Sequence, residues 1–494
     1  MIAKRHLLFI PLIGAIVLLL TASAGKVSAG EDKADPRLTP KQQLGKSIFF
    51  DEQLSLKQNQ ACAACHGPTV GWTGPSEEFN KLGGVYEGSV AGRFGARKPP
   101  AAGYAALSPV FHFMIEDGEK VFVGGNFWDG RATGEKLGNP AADQAQGPFL
   151  NPVEQALPDS ACVVYRVCNP AHPADYPVKM SDVFGSNSCQ IRWPKNVEKT
   201  CAQEGSPVAL AAPERAKANA AYDQIALAIA GYEASPAVNA FTAKYDYYLA
   251  GKVKLTKPER QGLELFAGQA QCAACHTLTP GFSGEPVFTD FTYDNVGIPK
   301  NPANPVYKVA PAFVDNGLGE FLAKRAEYAP YAAENYGKHK VPTLRNIDLR
   351  PSSRFVKAYM HNGYFKTLEG VVHFYNTRDV LPTCAGDFTE AQALANHCWP
   401  APEVAANLNT TEIGNLHLSA AQEKSLIAFL RTLNDGFIPT QADMVSATDE
   451  STSSATENLD TETLAGENSA VENLDDSANQ NYHLFLPITT SSAP

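Results

Sequence analysis

The pentapeptide CAACH occurs twice in this 494-residue chain, at residues 62–66 and at residues 272–276. A Cys-x-x-Cys-His motif is the attachment signal for c-type haem, in which both cysteines form thioethers with the porphyrin and the histidine binds the iron. A thioredoxin-like pair does not need the histidine, and a zinc site needs two ligand pairs close together. The repeated motif therefore predicts two covalently bound haem c groups. Their predicted protein ligands are Cys62, Cys65 and His66 in the first motif and Cys272, Cys275 and His276 in the second.

The segments that precede the two motifs are also alike. LTPKQQLGKSIFFDE stands before the first motif and LTKPERQGLELFAG before the second. In both, a threonine (Thr39 or Thr256) is followed three residues later by Gln42 or Glu259, which is the spacing of a capping box at a helix start. Another capping box at Ser419 predicts a helix that closes the second module. Because the chain also contains 38 Gly and 35 Pro, we predict a mainly α fold, with two cytochrome c-like haem domains and long Gly/Pro loops.

The N-terminus has the pattern of a secretory signal peptide. Basic residues at 4–6 precede an apolar run over 7–20, and small residues at 22–29 offer cleavage sites. The run is shorter than the ~20 apolar residues that a membrane span needs, which favours cleavage over an uncleaved anchor. The sequence thus predicts a signal peptide at 1–29 and a periplasmic mature protein.

Charge is distributed unevenly along the chain. The net charge is −11, but eleven of the 52 acidic residues follow Arg431, the last basic residue. The other 41 acidic residues equal the 41 basic residues in number, so the rest of the chain is near neutral. It has no basic field for nucleic acid. The end of the chain is rich in Ser, Thr, Asp and Glu, which predicts disorder. The predicted domains are an N-terminal haem domain at 30–245, a C-terminal haem domain at 246–437 and an acidic disordered tail at 438–494.

Six cysteines lie outside the haem motifs. An even number of cysteines in an exported protein favours disulfides, and many pairings of six are open. Four of the six lie in a Pro-rich segment at about 157–212, which we predict to be a loop insertion held by its own bridges. A metal site there is disfavoured because His172 is the only histidine of the segment. The predicted pairs, chosen as neighbours in sequence, are Cys162–Cys168, Cys189–Cys201 and Cys384–Cys398.

Two haems alone admit two classes of protein. An electron carrier has six ligands at both irons, whereas an enzyme leaves one iron open to a small oxidant. Only four methionines follow the signal peptide, and no histidine lies between His66 and His112. The first iron therefore lacks a sixth ligand nearby in sequence, which favours an enzyme. His112 and Met114, in FHFM, are more distant candidates, although a packed aromatic-rich strand or helix is the simpler interpretation of that segment.

Two longer stretches carry a resemblance to a known family. FWDGRATGEKLGNPAADQAQGPFLNPVEQA and KVPTLRNIDLRPSSRFVKAYMHNGYFKTLEGVVHFYN resemble segments of the bacterial di-haem cytochrome c peroxidases, a family that includes the MauG-type enzymes. Together with both haem motifs, the resemblance covers most of residues 36–437. It implies a first haem that reduces H2O2 and a second haem that receives electrons from a small donor protein, a cytochrome c or a cupredoxin. It leaves open whether the protein is a homodimer.

The resemblance also implies roles for individual residues. Trp128 corresponds to the tryptophan between the two haems, where an aromatic ring bridges electron transfer. Gln144 and Glu154 correspond to the glutamine and the catalytic glutamate of the distal pocket, with Pro148 between them. Splitting peroxide requires that a proton leave one oxygen and reach the other, and a positioned carboxylate can do both. Without the resemblance, Glu154 would be an ordinary loop acid.

Tyr375 stands at a position that divides the family. The resemblance implies a methionine ligand of the second haem here in the peroxidases and an axial tyrosine in MauG-type members. A phenolate lowers the reduction potential of the iron and stabilises its higher oxidation states. The alternative is that Tyr375 is a buried helix residue and that another side chain, such as Met360, is the ligand. Arg345 and His361 fall on family positions near this haem.

Three positions depart from the family pattern. MauG-type enzymes that make tryptophan tryptophylquinone use a surface tryptophan two residues before the second motif, where this chain has Ala270. The inter-haem calcium of the family takes an asparagine side chain where this chain has Lys98, whose ammonium group could replace the charge of the ion. Calcium between the domains is therefore left open. The distal histidine that the peroxidases use at the first haem has no counterpart here.

The sequence thus predicts a periplasmic di-haem c-type peroxidase and leaves two alternatives. In the main prediction His66 holds the peroxidatic iron beside Gln144 and Glu154, and electrons arrive through the haem held by His276 and Tyr375. One alternative is a MauG-like oxidase that acts on a protein or an organic substrate. The other is an electron carrier without turnover.

Overall fold

Fourteen α-helices and four short strands form the regular structure of the described residues, which are 37–116, 118–281 and 284–444 of a computed structural model. The predicted signal peptide and most of the predicted tail lie outside these ranges. The mainly α prediction is confirmed. Within the described ranges, no helix combines the length and the apolar character that crossing a bilayer requires. The helices are α1 (Pro40–Phe49), α2 (Glu77–Leu82), α3 (Pro140–Leu150), α4 (Ser160–Val167), α5 (Tyr176–Phe184), α6 (Val197–Cys201), α7 (Ala212–Glu233), α8 (Lys244–Leu249), α9 (Lys257–Ala267), α10 (Val306–Val309), α11 (Gly317–Ala323), α12 (Leu368–Thr377), α13 (Glu390–Ala395) and α14 (Ala420–Arg431).

The strands form two small antiparallel sheets. The first pairs β1 (His112–Glu116) with β2 (Glu119–Val123), and the second pairs β3 (Tyr293–Asp294) with β4 (His339–Lys340). All five residues of β1 are exposed to solvent. The sheets are too small to carry a core, so the helices determine the architecture.

The two haem motifs follow helices with the same kind of start. At α1 the backbone N–H of Thr39 donates to the Gln42 side chain at 2.9 Å, and at α9 the N–H of Thr256 donates to the Glu259 side chain at 2.7 Å. Both predicted capping boxes are thus confirmed, as is the one at Ser419 before α14. These contacts satisfy backbone groups that a helix start otherwise leaves unpaired. We call α1 and α9 the leading helices.

Each leading helix packs closely on one partner helix, α1 on α7 and α9 on α14. At these crossings a Cβ atom on Gly45 would lie 1.9 Å from the carbonyl oxygen of Ala228, and one on Gly262 would lie 2.0 Å from the carbonyl oxygen of Ser425. These distances are far inside van der Waals contact, so only glycine permits the approach. Both glycines stand at the same distance after the capping threonine, so the repeat extends to the helix packing.

Two hydrophobic cores surround these crossings. The first draws on residues 38–238, including the buried faces of α1, α3, α4 and α7. The second draws on residues 245–433, including the buried faces of α9, α12 and α14. The leading helices contribute Phe49 to the first core and Phe266 to the second. The described residues up to Asp443 belong to one compact unit. Within it, the first core ends at Val238 and the second begins at Tyr245, close to the predicted boundary at 245/246.

The segment at 157–212 combines three helices, α4, α5 and α6, with longer stretches of turn and irregular structure. Both of its disulfides lie within it as predicted, but it also contributes buried side chains to the first core and is therefore more than the predicted loop. The apolar side chains of Val163, Val164 and Val167 lie on α4 and are fully buried there. The segment therefore extends the first core as well as carrying its own disulfides.

The disulfides agree with the prediction in one pair of three. They are Cys162–Cys201, Cys168–Cys189 and Cys384–Cys398, with Cα–Cα distances of 5.3, 5.3 and 5.1 Å. The third pair is confirmed and the first two predicted pairs are wrong. Cys162 lies in α4 and Cys168 at its C-terminal cap, which separates them by about 9 Å along the helix axis. This exceeds the reach of a disulfide, so each cysteine bridges to a more distant partner.

The beginning of the predicted tail contacts the folded body. Asp443 accepts a hydrogen bond from the backbone N–H of Lys254 at 2.8 Å, and its carboxylate lies 3.3 Å from Lys244 Nζ. Residues 438–443 therefore include ordered contacts, whereas 445–494 lie outside the described residues.

Candidate haem centres

Two cavities lie next to each other in the compact unit, and each is lined by the histidine of one haem motif. His66 and Gln144 line the smaller cavity, which we call the first cavity. His276 and Tyr375 line the larger cavity, which we call the second cavity. Trp128 lines both cavities. The structure thus brings most of the predicted site residues to two adjoining cavities.

Both histidines are held by the same kind of hydrogen bond. The Nδ1 atom of His66 lies 3.2 Å from the carbonyl oxygen of Trp72, and that of His276 lies 2.9 Å from the carbonyl oxygen of Phe288. A carbonyl can only accept, so Nδ1 carries the proton and Nε2 keeps the lone pair that binds a metal. Burial lowers the pKa of His66 to about 4 and also lowers the pKa of His276. Both imidazoles are therefore in the neutral form that a haem iron requires.

The cysteines of the two motifs also fit covalent haem. Each motif forms a single 3-10 turn, in which the histidine N–H donates to the carbonyl of the first cysteine, at 3.0 Å in His66 and 2.9 Å in His276. The four motif cysteines carry free thiols, while the other six cysteines form disulfides. Two free thiols followed by a neutral histidine at a cavity wall are the chemical groups that haem c needs.

Gln144 and Glu154 reach the first haem motif from α3 and from the turn after it. Gln144 lines the first cavity directly. The Glu154 carboxylate accepts a hydrogen bond from Asn151 Nδ2 at 2.6 Å, and its charge helps to raise the pKa of the Cys65 thiol. Burial raises the pKa of Glu154, although the nearby Arg131 guanidinium opposes the rise. Glu154 thus lies beside the motif without forming the wall that His66 and Gln144 share.

A second acid in the first cavity was missed by the sequence analysis. Glu233 is the last residue of α7, is only 5% exposed and lines the same cavity as His66. Burial raises the pKa of Glu233 to about 8, so this carboxyl group is protonated at neutral pH. The available signal was an acid at the end of an alanine-rich, otherwise apolar helix turn, AIAGYE.

The wall around His66 offers no obvious sixth ligand for an iron. Among the described residues that line the first cavity there is no methionine and no second histidine. Its tyrosine, Tyr104, donates its hydroxyl to Asp435 at 2.7 Å. The candidates His112 and Met114 lie on the exposed strand β1 and line neither cavity.

The second cavity contains two candidate sixth ligands. Tyr375 lies on α12, and no described residue forms a hydrogen bond with its phenol oxygen. Burial raises the pKa of Tyr375, and the charge of Asp294 acts in the same direction. Met360 lines the same cavity. Of the two residues that the resemblance placed nearby, Arg345 forms a bidentate ion pair with Asp246, at 2.9 and 2.8 Å.

Trp128 lies in the wall between the cavities. It is 8% exposed, lines both cavities and donates its indole N–H to the carbonyl oxygen of Lys98 at 2.8 Å. Its ring meets that of His361 edge-on, with the centroids 6.5 Å apart. Among the described residues that line both cavities, Trp128 is the one with an aromatic ring.

The groups near this wall do not favour a bound metal ion besides haem iron. Lys98, at the position expected for a calcium ligand, donates from Nζ to Thr73 Oγ1 at 2.7 Å. Asp315, His339 and His361 come within 4.8 Å of one another, but the two imidazole rings are stacked at 3.6 Å with 7° between their planes. Nitrogen lone pairs lie in the ring plane, so stacked rings cannot direct both toward one ion. Asp315 is instead paired with Arg97 at 2.6 Å, and His339 Nε2 lies 3.2 Å from the same carboxylate.

Comparison with known proteins agrees with this geometry. The family model described as di-haem cytochrome c peroxidase matches residues 39–254. The methylamine utilization protein MauG of Paracoccus denitrificans is 34% identical over 395 residues, which cover 79% of this chain and 88% of that protein. Cytochrome c551 peroxidase of Nitrosomonas europaea is 25% identical over 376 residues, covering 74% and 84%. The crystal structure of the diheme peroxidase BthA from Burkholderia thailandensis is similar with a TM-score of 0.59 and 28% identity, covering 84% of this chain and 91% of that one. The chain belongs to the di-haem cytochrome c peroxidase and MauG family.

Proposed function

We propose that this protein is a di-haem peroxidase that reduces H2O2 to water at the first haem with electrons delivered through the second. The observation that carries the proposal is the inequality of the two cavities. The wall around His66 has Gln144 and Glu233 but no thioether, whereas the wall around His276 contains Tyr375 and Met360. We therefore assign the open coordination position to the first iron and a second protein ligand to the other.

The chain's own residues supply the proton transfer. The haems, when bound, supply irons that bind peroxide and exchange electrons. Glu154 lies beside Cys65 and outside the wall that His66 and Gln144 share. In this proposal it would take the proton from one peroxide oxygen and deliver it to the other once the haem is bound, and its raised pKa brings this exchange closer to neutral pH. Its hydrogen bond from Asn151 fixes the carboxylate in the turn after α3. The Gln144 amide, in the cavity wall, orients the bound peroxide.

Trp128 connects the two centres in this proposal. It is the one aromatic residue that lines both cavities among the described residues. The carbonyl of Lys98 holds the indole N–H at 2.8 Å, which fixes the ring plane. We therefore assign the electron relay to Trp128, and His276 and Tyr375 would hold the second haem iron.

The partners follow from the same similarities. The relative from Nitrosomonas europaea is named a cytochrome c551 peroxidase, which supports a small cytochrome c, or a cupredoxin, as electron donor. The sequence pattern at 1–29 supports export to the periplasm, where such donors occur. We propose that the side chain of Lys98, which donates to Thr73, takes the place of calcium between the two centres. Whether the protein forms a homodimer is measured by sedimentation in the test below.

A MauG-like oxidase is the second candidate. The similarity to MauG over most of the chain and the presence of Tyr375 in the second cavity favour it. Against it stands Ala270, which is 2% exposed and carries no oxidisable side chain two residues before the second motif. Electrons from a protein substrate would have to reach the haems through a residue other than Ala270. An electron carrier is the third candidate, and the ligand-poor wall of the first cavity argues against it.

Two measurements on the purified di-haem protein test the proposal. Ferric absorption and EPR spectra should show one high-spin and one low-spin haem, and reduced cytochrome c should be oxidised in proportion to added H2O2. Two low-spin haems without peroxide turnover would identify a carrier. Consumption of peroxide without cytochrome c oxidation would identify the oxidase instead. Sedimentation of the same sample gives the state of association.

A further inference from the structure

Buried cations without carboxylate partners line the candidate haem cavities. Four basic side chains, Lys98, Lys340, Arg345 and Lys357, face the second cavity, and Lys340 also faces the first. Only Arg345 has a carboxylate partner. Among the described residues, no carboxylate lies within ion-pair distance of the three lysines. Buried lysines usually have an anionic partner because an unpaired buried charge is costly.

One of the three lysines has no capacity left for a ligand. Lys357 Nζ donates to three backbone carbonyl oxygens, each at 3.0 Å, so all three of its N–H groups are used. Their acceptors are Val70, Asn346 and Leu349. Lys357 therefore links two loops and is not a candidate for binding.

The other two lysines each keep a free donor. Lys98 Nζ donates to Thr73 Oγ1 at 2.7 Å and to the carbonyl of Pro99 at 3.0 Å. Lys340 Nζ donates to Ser108 Oγ at 2.7 Å and to the carbonyl of Gly125. An ammonium group has three donors, and all four acceptors are neutral. Each lysine thus offers one further N–H at a cavity wall, and Lys340 Nζ also lies 5.1 Å from the centroid of the Phe291 ring.

Four carboxylates line the second cavity, Asp294, Asp315, Glu403 and Glu412, and in the described part of the chain none of them forms an ion pair with Lys98 or Lys340. Asp315 is paired with Arg97, and Glu403 accepts a hydrogen bond from the Tyr307 hydroxyl. Asp294 and Glu412, together with Asp290, raise the pKa of the Cys275 thiol, so the charges of these three act on the cysteine that would attach the haem. Lys98 has no such neighbour; burial and then the charge of Lys366 lower its pKa to about 7. Asp290 is the one acid whose field reaches Lys340, and burial still lowers that pKa to about 7.

Haem c carries the complementary anions. Its thioethers are formed at one edge of the porphyrin, and its two propionate carboxylates project from the opposite edge. We propose that Lys98 and Lys340 are binding residues for the haem propionates at the wall between the two centres. The third N–H of each lysine donates to a propionate oxygen. The inference concerns haem c binding, which the family provides, and not the peroxidase activity proposed above.

The test compares charge-removing variants on the purified di-haem protein. K98M and K340M keep the length of the side chain and remove its charge. K366M is the control, because Lys366 is close enough to Lys98 to affect its pKa, also donates to a backbone carbonyl and lines neither cavity. The readouts are the midpoint potential of each haem and the propionate-bending band in the resonance Raman spectrum.

The expected results distinguish a propionate partner from a general charge effect. Losing a cation beside a propionate favours the ferric state, and a tenfold shift of that equilibrium lowers the midpoint by ~59 mV. We expect a shift of about this size and a moved propionate band in K98M and in K340M, and neither change in K366M. K98R, which keeps the charge, should retain a potential near the original value.

The opposite pattern would overturn the proposal. If K98M and K340M match K366M in both readouts, the lysines do not bind propionates. The same conclusion follows if K98R changes as much as K98M. Should K98M yield no di-haem protein, K340M and K98R still decide the question, with haem content measured as the pyridine haemochrome.

Discussion

The two haem modules begin alike and end differently. Each has a threonine cap, a glycine at the helix crossing, a buried phenylalanine and a histidine whose Nδ1 faces a carbonyl. The difference lies in the other side chains that line each cavity. Gln144 and Glu233 share the cavity of His66, whereas Tyr375 and Met360 share the cavity of His276. The repeated sequence therefore supplies haem attachment, and the unrepeated segments decide what each haem can do.

The first test of this comparison removes Glu154, the acid–base group that we propose for the first module. In E154Q the side chain keeps its size but cannot accept a proton, so we expect kcat/KM for H2O2 to fall ~10²-fold or more. Oxidation of reduced cytochrome c measures the loss. E78Q is the matched control because Glu78 is exposed on α2. Unchanged turnover in E154Q would exclude Glu154 from the mechanism.

The second way is to change Tyr375, the ligand that we propose for the second haem. In Y375M a thioether replaces the phenol, so the midpoint potential of the second haem should rise while that of the first changes little. Redox titration followed by absorption resolves the two haems. M360L is the control, because Met360 lines the same cavity. A spectral change in M360L together with an unchanged Y375M would make Met360 the ligand.

What the sequence could predict depends on whether the signal is local. The haem motifs and the capping boxes at Thr39 and Thr256 are local patterns, and the structure contains them as expected. The positions of Trp128 and Gln144 came from family resemblance, and both line the expected cavity walls. The placement of these residues was therefore accessible without coordinates, while their roles rest on the proposal.

The features that the sequence could not predict depend on distances between residues that are far apart in the chain. The pairing of Cys162 and Cys168 failed because α4 separates them, and only the packed segment shows which cysteines approach. Glu233 was missed because its burial results from the packing of α7 on other helices. The free donors of Lys98 and Lys340 likewise depend on neighbours distant in sequence.

The third comparison concerns the two helix crossings. G45A and G262A should each lower the free energy of unfolding by ~1–3 kcal/mol or more, because the new methyl group meets a backbone carbonyl of the partner helix. Thermal unfolding measures both. Gly231 is a matched control on α7, because a Cβ there would contact only the Lys41 side chain, at 3.6 Å. G231A should therefore be neutral or stabilise the protein by ~0.4–1 kcal/mol. Equal effects in all three variants would contradict the packing argument.

The fourth comparison uses the buried acid of the first cavity. Because the pKa of Glu233 rises from 4.5 to about 8 on folding, the folded state holds this proton more tightly than the unfolded state. The resulting stability is full below about pH 4.5 and is lost as the pH rises toward 8, by at most ~1.4 kcal/mol per pH unit. Thermal unfolding between these pH values should therefore be less pH-dependent in E233Q. Parallel pH profiles of the two proteins would show that Glu233 is ionised when folded.

The smallest expected effect is that of calcium removal, and it bears on what stands between the modules. Lys98 Nζ is bonded to Thr73 Oγ1 and to the Pro99 carbonyl, so an ammonium group already occupies the position expected for a calcium ligand. Dialysis against a strong chelator should leave the haem spectra, the peroxide turnover and the melting temperature unchanged. Metal analysis before and after dialysis is the control for complete removal. A chelator-induced spectral change that added calcium reverses would show that an ion is bound despite the lysine, and the two modules would then share a metal ion in addition to Trp128.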